Sequence, residues 1–215
     1  MNLIYLHGFA SGPQSSKAQF FRRRFEELGI AMQIPDLSEG NFEGLTISGQ
    51  LRVIESTAGG HDVCLIGSSM GGYLAALYAA RHLEVKKLVL LAPAFGFARR
   101  WPLMLGEEKV AEWRRTGWLP VYHYGDKMER RVGYKLLEDA ERYEDYPDVS
   151  QPALVFHGRK DDVVPVEYSE EFAARHPQVT LRVMESGHEL VDVMEEMWGE
   201  ILAWIGIPPS DRLGY

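Results

Sequence analysis

The sequence predicts an α/β protein in which about six mostly parallel strands carry helices on both faces, interrupted by one long insertion. Short apolar runs alternate with longer stretches whose apolar residues recur every three or four positions, as in sheets joined by crossover helices. With 215 residues, 46% hydrophobic and 25% charged, the chain is long enough to bury a full core. We expect residues 1–215 to form a single domain.

Six apolar runs are the predicted strands. The run DVCLIG at 62–67 is apolar almost throughout, which is expected when helices cover both faces of a parallel sheet. The predicted strands are residues 3–6, 31–35, 62–67, 87–92, 152–156 and 179–184.

Four amphipathic segments are the predicted helices of the sheet. Ser15 or Ser16 can cap the first, in which Phe21, Phe25 and Leu28 recur at helical spacing. The last has an apolar stripe that begins at residue 190. The predicted helices are residues 16–28, 46–58, 70–82 and 190–205.

The segment 95–146 lies between two predicted strands and is far longer, at 52 residues (146 − 95 + 1), than a simple connection needs. It holds three of the five tryptophans and five of the ten tyrosines, and its ten basic and ten acidic residues cancel. A hairpin is predicted from 119–123 and 128–132, with helices at 110–115 and 133–142. We expect this segment to form a cap over the sheet.

Charge and cysteine content exclude several classes of partner and site. The net charge of −8 disfavours nucleic acid or an anionic membrane as the main partner. Cys64 is the only cysteine, which excludes an internal disulfide and Cys-rich metal sites. The chain starts with a short apolar run and no basic segment, so we expect a cytoplasmic protein without a signal peptide.

The sharpest local signal is GSSMG at 67–71, a G-x-S-x-G that follows a predicted strand and precedes a predicted helix. A serine at the apex of such a turn is exposed for nucleophilic attack, and side chains two residues before or after it would collide. This setting favours Ser69 as a nucleophile. The alternative is a helix start rich in glycine and serine that has no chemical role.

A serine nucleophile needs a base, and the base needs a carboxylate. His188 lies in the loop between the last strand and the last helix, and carboxyl-end loops of a parallel sheet meet at one edge. Asp161 follows the strand at 152–156 and is the preferred acid, with the adjacent Asp162 as the alternative. His157, at the end of the same strand, is interpreted as a packed and hydrogen-bonded turn residue.

Acyl transfer also needs backbone donors for an oxyanion. One is expected to be the N–H of Met70, next to the candidate nucleophile. The turn after the first strand can supply the other, through Phe9 or, as the near alternative, Ala10. On the alternative interpretation, His7 and Gly8 only end the strand.

Four motifs in this order resemble the α/β-hydrolase superfamily, over nearly the whole chain outside 95–146. The order nucleophile, acid, base is also that of the superfamily. More narrowly, HGFASGPQSSKA at 7–18 is similar to the small bacterial YqiA-type esterases. The motifs are LHGF at 6–9, GSSMGG at 67–72, HGRKDDVVP at 157–165 and SGH at 186–188.

The resemblance implies hydrolysis of a small-molecule carboxylic ester or thioester through an acyl-enzyme on Ser69. No metal or organic cofactor is implied, and His188-Glu189 does not start a zinc-binding H-E-x-x-H because Asp192 stands four residues on. Two alternatives remain open. One is a serine peptidase or amidase, and the other is a non-catalytic ligand-binding protein of the same fold.

The insertion is where a substrate pocket is expected. Its aromatic and apolar residues can wall an acyl pocket at the carboxyl edge of the sheet. The alternative, that they form the small core of the insertion itself, is equally compatible with the sequence. The candidate lining residues are Trp101, Leu103, Met104 and Leu105.

Overall fold

The computed structural model describes residues 1–207, which form a six-stranded parallel sheet and a separate two-stranded hairpin. The predicted single domain extends to residue 215, and its last eight positions, 208–215, lie outside the described residues. The strands of the main sheet are β1 (Asn2–Leu6), β2 (Met32–Gln33), β3 (Val63–Ser68), β4 (Val85–Leu91), β7 (Ala153–Gly158) and β8 (Val179–Met184).

The strand order in the sheet is β2-β1-β3-β4-β7-β8, and every neighbouring pair is parallel. Strand β2 lies on one side of β1, whereas β3, β4, β7 and β8 follow in order on the other side. The order of the strands therefore reverses at β1. Loops at such a reversal splay apart at the carboxyl ends of the strands and leave a crevice. A ligand site is therefore expected at the loops after β1 and β3.

Helices cover both faces of the sheet, as the sequence predicts. In β1, Leu3 and Tyr5 face one core and Ile4 and Leu6 face the other, because successive side chains of a strand point to opposite faces. The first core includes α1 (Ser16–Glu27) and α8 (Met194–Ile205); the second includes α2 (Ile47–Ala58), α3 (Met70–Ala79) and α7 (Glu167–Arg175).

The segment between β4 and β7 contains three helices and the predicted antiparallel hairpin. Trp113 is buried in it, with its indole N–H donating to the carbonyl oxygen of Val132 at 3.0 Å. The Trp101 ring meets Trp113 edge-on at 5.1 Å. The elements are α4 (Phe97–Leu105), α5 (Glu107–Thr116), β5 (Trp118–His123), β6 (Met128–Gly133) and α6 (Lys135–Ala140).

The structure departs from the sequence prediction in four elements. Helix α4 is not predicted because Pro102 lies inside it, and proline ordinarily ends a helix. Helix α7 is a second element that was not predicted. Strand β2 has two residues rather than five, and Pro35 removes a backbone donor from its predicted end. Helix α8 begins at Met194 rather than residue 190, because Leu190 adopts a left-handed φ of 53° and a 3₁₀ turn follows it.

No helix within residues 1–207 combines the length and hydrophobicity that a membrane-spanning segment requires.

Candidate active site

Ser69 occupies a strained turn between β3 and α3. Its φ of 53° and ψ of −117° lie outside the regions that a non-glycine residue ordinarily adopts. The turn is held from both sides, since the N–H of Ser69 donates to the carbonyl oxygen of Leu91 at 2.8 Å and its own carbonyl accepts from Ala94 at 3.0 Å. The surrounding backbone thus holds the Ser69 side chain above the carboxyl edge of the sheet.

The glycines that flank Ser69 are required by close backbone contacts. A Cβ on Gly67 would overlap the carbonyl group of Gly71. A Cβ on Gly71 would overlap the carbonyl group of Leu6 and lie 2.7 Å from the carbonyl oxygen of His7. The absence of a side chain at Gly67 therefore lets the turn close on itself, and its absence at Gly71 lets the turn pack against the end of β1.

Gly71→Ala is expected to lower the free energy of unfolding by at least about 3 kcal/mol, or to prevent folding, because backbone atoms of β1 must move to admit the methyl group. Urea denaturation followed by circular dichroism measures the change. Gly199→Ala in α8 is the control, since nothing lies within 4 Å of its added Cβ and alanine favours a helix. Equal midpoints for Gly71→Ala and the wild type would contradict the prediction.

Three side chains predicted from the sequence form one hydrogen-bonded chain. His188 Nε2 lies 3.0 Å from Ser69 Oγ, and His188 Nδ1 lies 2.7 Å from Asp161 Oδ2. The three residues follow β3, β7 and β8, whose carboxyl ends share one edge. Asp162, the alternative acid, is exposed. The imidazole can thus accept a proton from Ser69 while it donates one to Asp161.

Asp161 is held as a carboxylate by its hydrogen bonds. Burial alone would raise the pKa of Asp161, but the hydrogen bonds from His157 and His188, with the N–H of Val164, hold that pKa well below its usual value. Oδ1 accepts from the N–H groups of Val163 at 2.9 Å and Val164 at 2.7 Å. The side chain is fully buried, so its charge faces the imidazoles rather than water.

His157 is a neighbour of the acid that sequence reasoning did not assign to the site. Its interpretation as a packed, hydrogen-bonded residue is correct, since it is fully buried. However, Nε2 lies 3.1 Å from Asp161 Oδ2 as well as 2.8 Å from the carbonyl oxygen of Val164. Because Nε2 must donate, Nδ1 accepts from the Ser169 hydroxyl at 2.7 Å. In the sequence, the only indication of this contact is that His157 and Asp161 belong to the same motif, four residues apart.

The loop after β1 lies directly beside the nucleophile. A Cβ on Gly8 would lie 3.4 Å from Ser69 Cβ. His7 orders this loop, because its Nδ1–H donates to the Gly8 carbonyl at 3.0 Å and its Nε2 accepts from the N–H of Leu37 at 3.2 Å. Burial lowers the pKa of His7, which favours the neutral ring that both contacts require.

The insertion reaches the same loop. The N–H of Tyr124, in the turn of the hairpin, donates to the carbonyl oxygen of Ala10 at 2.7 Å. Ala10 has a left-handed φ of 51°, so this contact fixes a strained residue. The Phe9 ring packs edge-on against Trp101 at 5.0 Å and lies 5.5 Å from Phe42. The insertion therefore covers the loop after β1 with aromatic side chains.

The four predicted pocket residues lie in different environments. Trp101 packs between Phe9 and Trp113. Leu105 is half-buried against the core, whereas Leu103 is 77% exposed and Met104 55% exposed. Two of the four are thus exposed, and the role of all four in binding substrate stays a prediction.

A parallel sheet of this order, with a strained serine turn after the third strand, defines the α/β-hydrolase superfamily, and the resemblance read from the motifs is confirmed. Within it, residues 2–205 match the family described as "Uncharacterised protein family (UPF0227)". The chain belongs to this family.

Individual relatives agree with that assignment. The bovine (Bos taurus) "Palmitoyl-protein thioesterase ABHD10, mitochondrial" is 29% identical over 187 residues, which are 80% of this chain and 61% of that protein. The Bacillus subtilis "AB hydrolase superfamily protein YisY" is 24% identical, over 79% of this chain and 77% of that protein. The chain thus spans about three-fifths of the bovine protein.

Similarity to a solved structure supports the same fold. A crystal structure from Agrobacterium vitis S4 has a TM-score of 0.81 at 25% identity and covers 95% of this chain and 87% of its own. The structural similarity therefore agrees with the α/β-hydrolase fold.

Proposed function

We propose that the protein is a serine hydrolase that cleaves carboxylic esters or thioesters through an acyl-enzyme on Ser69. The observation that carries this proposal is the continuous hydrogen-bonded chain from Ser69 through His188 to Asp161, with contacts of 3.0 Å and 2.7 Å. A hydroxyl, an imidazole and a buried carboxylate in this order are the groups that acyl transfer requires.

In the proposed reaction, Ser69 Oγ attacks the carbonyl carbon of the substrate while His188 Nε2 takes its proton. Asp161 holds the Nδ1–H tautomer of His188 and stabilises the imidazolium. The tetrahedral intermediate collapses, and the alcohol or thiol leaves with the proton from Nε2. Water, deprotonated by the same imidazole, then attacks the acyl-enzyme and releases the acid and Ser69.

The oxyanion of the intermediate is assigned to the N–H groups of Met70 and Phe9, with Ala10 as the alternative to Phe9. Among the hydrogen bonds of residues 1–207, none uses the N–H of Met70 or of Phe9. Met70 is also the first residue of α3, where helix N–H groups are free and the helix dipole favours negative charge. Both donors therefore remain available to a substrate oxygen.

The acyl group of the substrate is assigned to the aromatic surface beside the loop after β1. The half-buried rings of Phe9 and Trp101 are in contact there, with Phe42 buried beneath Phe9, and these rings are apolar rather than charged. The name of the bovine relative, a thioesterase for palmitoyl-proteins, favours thioesters among the substrates. A peptidase or amidase would use the same three residues.

A comparison of leaving groups tests the proposal. p-Nitrophenyl esters, acyl-coenzyme A thioesters and p-nitroanilides of the same acyl chains, from acetyl to palmitoyl, are compared by kcat/KM. We expect both the oxygen and the sulfur esters to be cleaved well above the anilides. Faster cleavage of anilides would favour the amidase, and no turnover of any substrate together with no labelling by a fluorophosphonate would favour the non-catalytic binding protein.

A further inference from the structure

Lys17 is a buried lysine that the proposed chemistry does not use. It lies in the first turn of α1 and is 8% exposed. Its ammonium Nζ donates to the backbone carbonyl oxygen of Glu189 at 2.6 Å and to Glu189 Oε2 at 3.2 Å. Lys17 therefore joins the start of α1 to the residue that directly follows His188.

This placement of a lysine is unfavourable on two counts. Removing an ammonium from water is costly, and a positive charge in the first turn of a helix opposes the helix dipole. Glu189 compensates only in part, since its side chain is 74% exposed and exposed ion pairs contribute little. Positions that violate local preferences in this way are concentrated at functional sites.

The loop that carries His188 is fixed on both sides. Before His188, the carbonyl groups of Ser186 and Gly187 pack so closely on Gly158 that an added Cβ there would overlap them. After His188, Leu190 is buried with a left-handed φ of 53°. The carbonyl that Lys17 holds belongs to the peptide group between Glu189 and Leu190.

We propose that Lys17 is a positioning residue, which holds the Glu189–Leu190 peptide group and thereby keeps His188 within hydrogen-bond distance of Ser69 and Asp161. This inference rests on the proposed function for its kinetic consequence. Without the ammonium, the Glu189 carbonyl loses its donor and the strained peptide can rotate. His188 Nε2 then no longer stays 3.0 Å from Ser69 Oγ.

Lys17→Met tests the proposal, because methionine keeps the apolar stem and removes the donor. We expect kcat for p-nitrophenyl acetate to fall about 10- to 100-fold, the effect typical of small misplacements of a catalytic group, with KM within about twofold of the wild type. Lys87→Met is the matched control, since Lys87 Nζ also donates to a backbone carbonyl, that of Trp204, at 2.6 Å. Its kcat is expected to stay within about twofold.

A spectroscopic measurement separates positioning from a merely structural role. The His188 Nδ1–H that donates to Asp161 is expected to give a low-field proton resonance in the wild type and in Lys87→Met, and to be lost or broadened in Lys17→Met. Glu189→Gln, which keeps the backbone carbonyl, is expected to retain the resonance. A folded Lys17→Met with wild-type kcat and an unchanged resonance would overturn the proposal.

Two further outcomes are possible, and each has its own test. If Lys17→Met does not fold, Lys17→Leu, which also lacks a donor, carries the test, and an unchanged resonance in Lys17→Leu would overturn the proposal. If the wild type cleaves no ester, thioester or anilide, the proposed function fails. The low-field resonance then still decides whether Lys17 positions His188.

Discussion

Ser69→Ala is expected to lower kcat for p-nitrophenyl acetate by at least about 10⁴-fold and to abolish covalent labelling by a fluorophosphonate. Removal of Oγ deletes the atom that forms the acyl-enzyme, whereas the base, the acid and the backbone donors stay in place. Alanine keeps the Cβ of serine and adds no atoms, so the fold is expected to persist although the contact with His188 is lost. Steady-state hydrolysis and mass spectrometry of the labelled peptide measure the two effects.

Ser68→Ala is the matched control for this experiment. Ser68 is the neighbouring serine and is almost fully buried as the last residue of β3, and His188 bonds to Ser69 instead. We expect Ser68→Ala to keep kcat within about threefold of the wild type and to be labelled at Ser69. Labelling of Ser69→Ala at another serine, with activity retained, would contradict the assignment of the nucleophile.

The candidate site can be located from the sequence because the fold class itself determines which loops lie close together. In a parallel sheet the carboxyl ends of all strands lie at one edge, so recognising the strands before Ser69, Asp161 and His188 already places the three loops together. Continuous apolar runs make those strands easy to recognise. The prediction therefore needed no knowledge of the contacts between distant residues.

The choice between Asp161 and Asp162 shows the limit of that reasoning. Adjacent residues in a loop point in different directions, and strand order does not distinguish them. In the structure, Oδ1 of Asp161 accepts from the N–H groups of Val163 and Val164, which turns its side chain inward. This local turn leaves Asp162 exposed.

Other features depend on contacts that no local pattern contains. Lys17 reaches Glu189 across 172 residues, and the N–H of Tyr124 reaches Ala10 from the insertion. Trp101 contacts Phe9 of the loop after β1 and Trp113 of the insertion, so the two interpretations offered for it, pocket wall and insertion core, are both compatible with its contacts. The periodic pattern of apolar residues indicates single helices and strands and does not predict contacts between residues of different elements.

Asp161→Asn is expected to lower kcat by about 10³- to 10⁴-fold and to leave residual turnover. The structure gives the reason. Because two backbone N–H groups hold Oδ1, the amide oxygen of asparagine must occupy that position, and the NH₂ group then takes the place of Oδ2. There it faces His188 Nδ1 and His157 Nε2, both of which donate in the wild type. His188 must adopt the Nε2–H tautomer, which cannot accept the proton of Ser69.

The same substitution has a predictable effect on stability. The folded-state pKa of Asp161 is lowered, so its ionised form contributes stability above the unfolded-state pKa of about 3.9, and this contribution is lost as the pH falls below that value. Asp161→Asn is therefore expected to lower the free energy of unfolding at pH 7, with a difference from the wild type that shrinks towards pH 3. Urea denaturation at both pH values measures it.

Asp162→Asn provides the control for both effects, since it removes an equal charge from an exposed side chain one residue away. Its kcat and its stability at pH 7 are expected to match those of the wild type. Full activity in Asp161→Asn with loss in Asp162→Asn would reassign the acid. Loss in neither variant would mean that the orientation of His188 is set by its loop alone, which would leave the contact with Lys17 as the main constraint on the base.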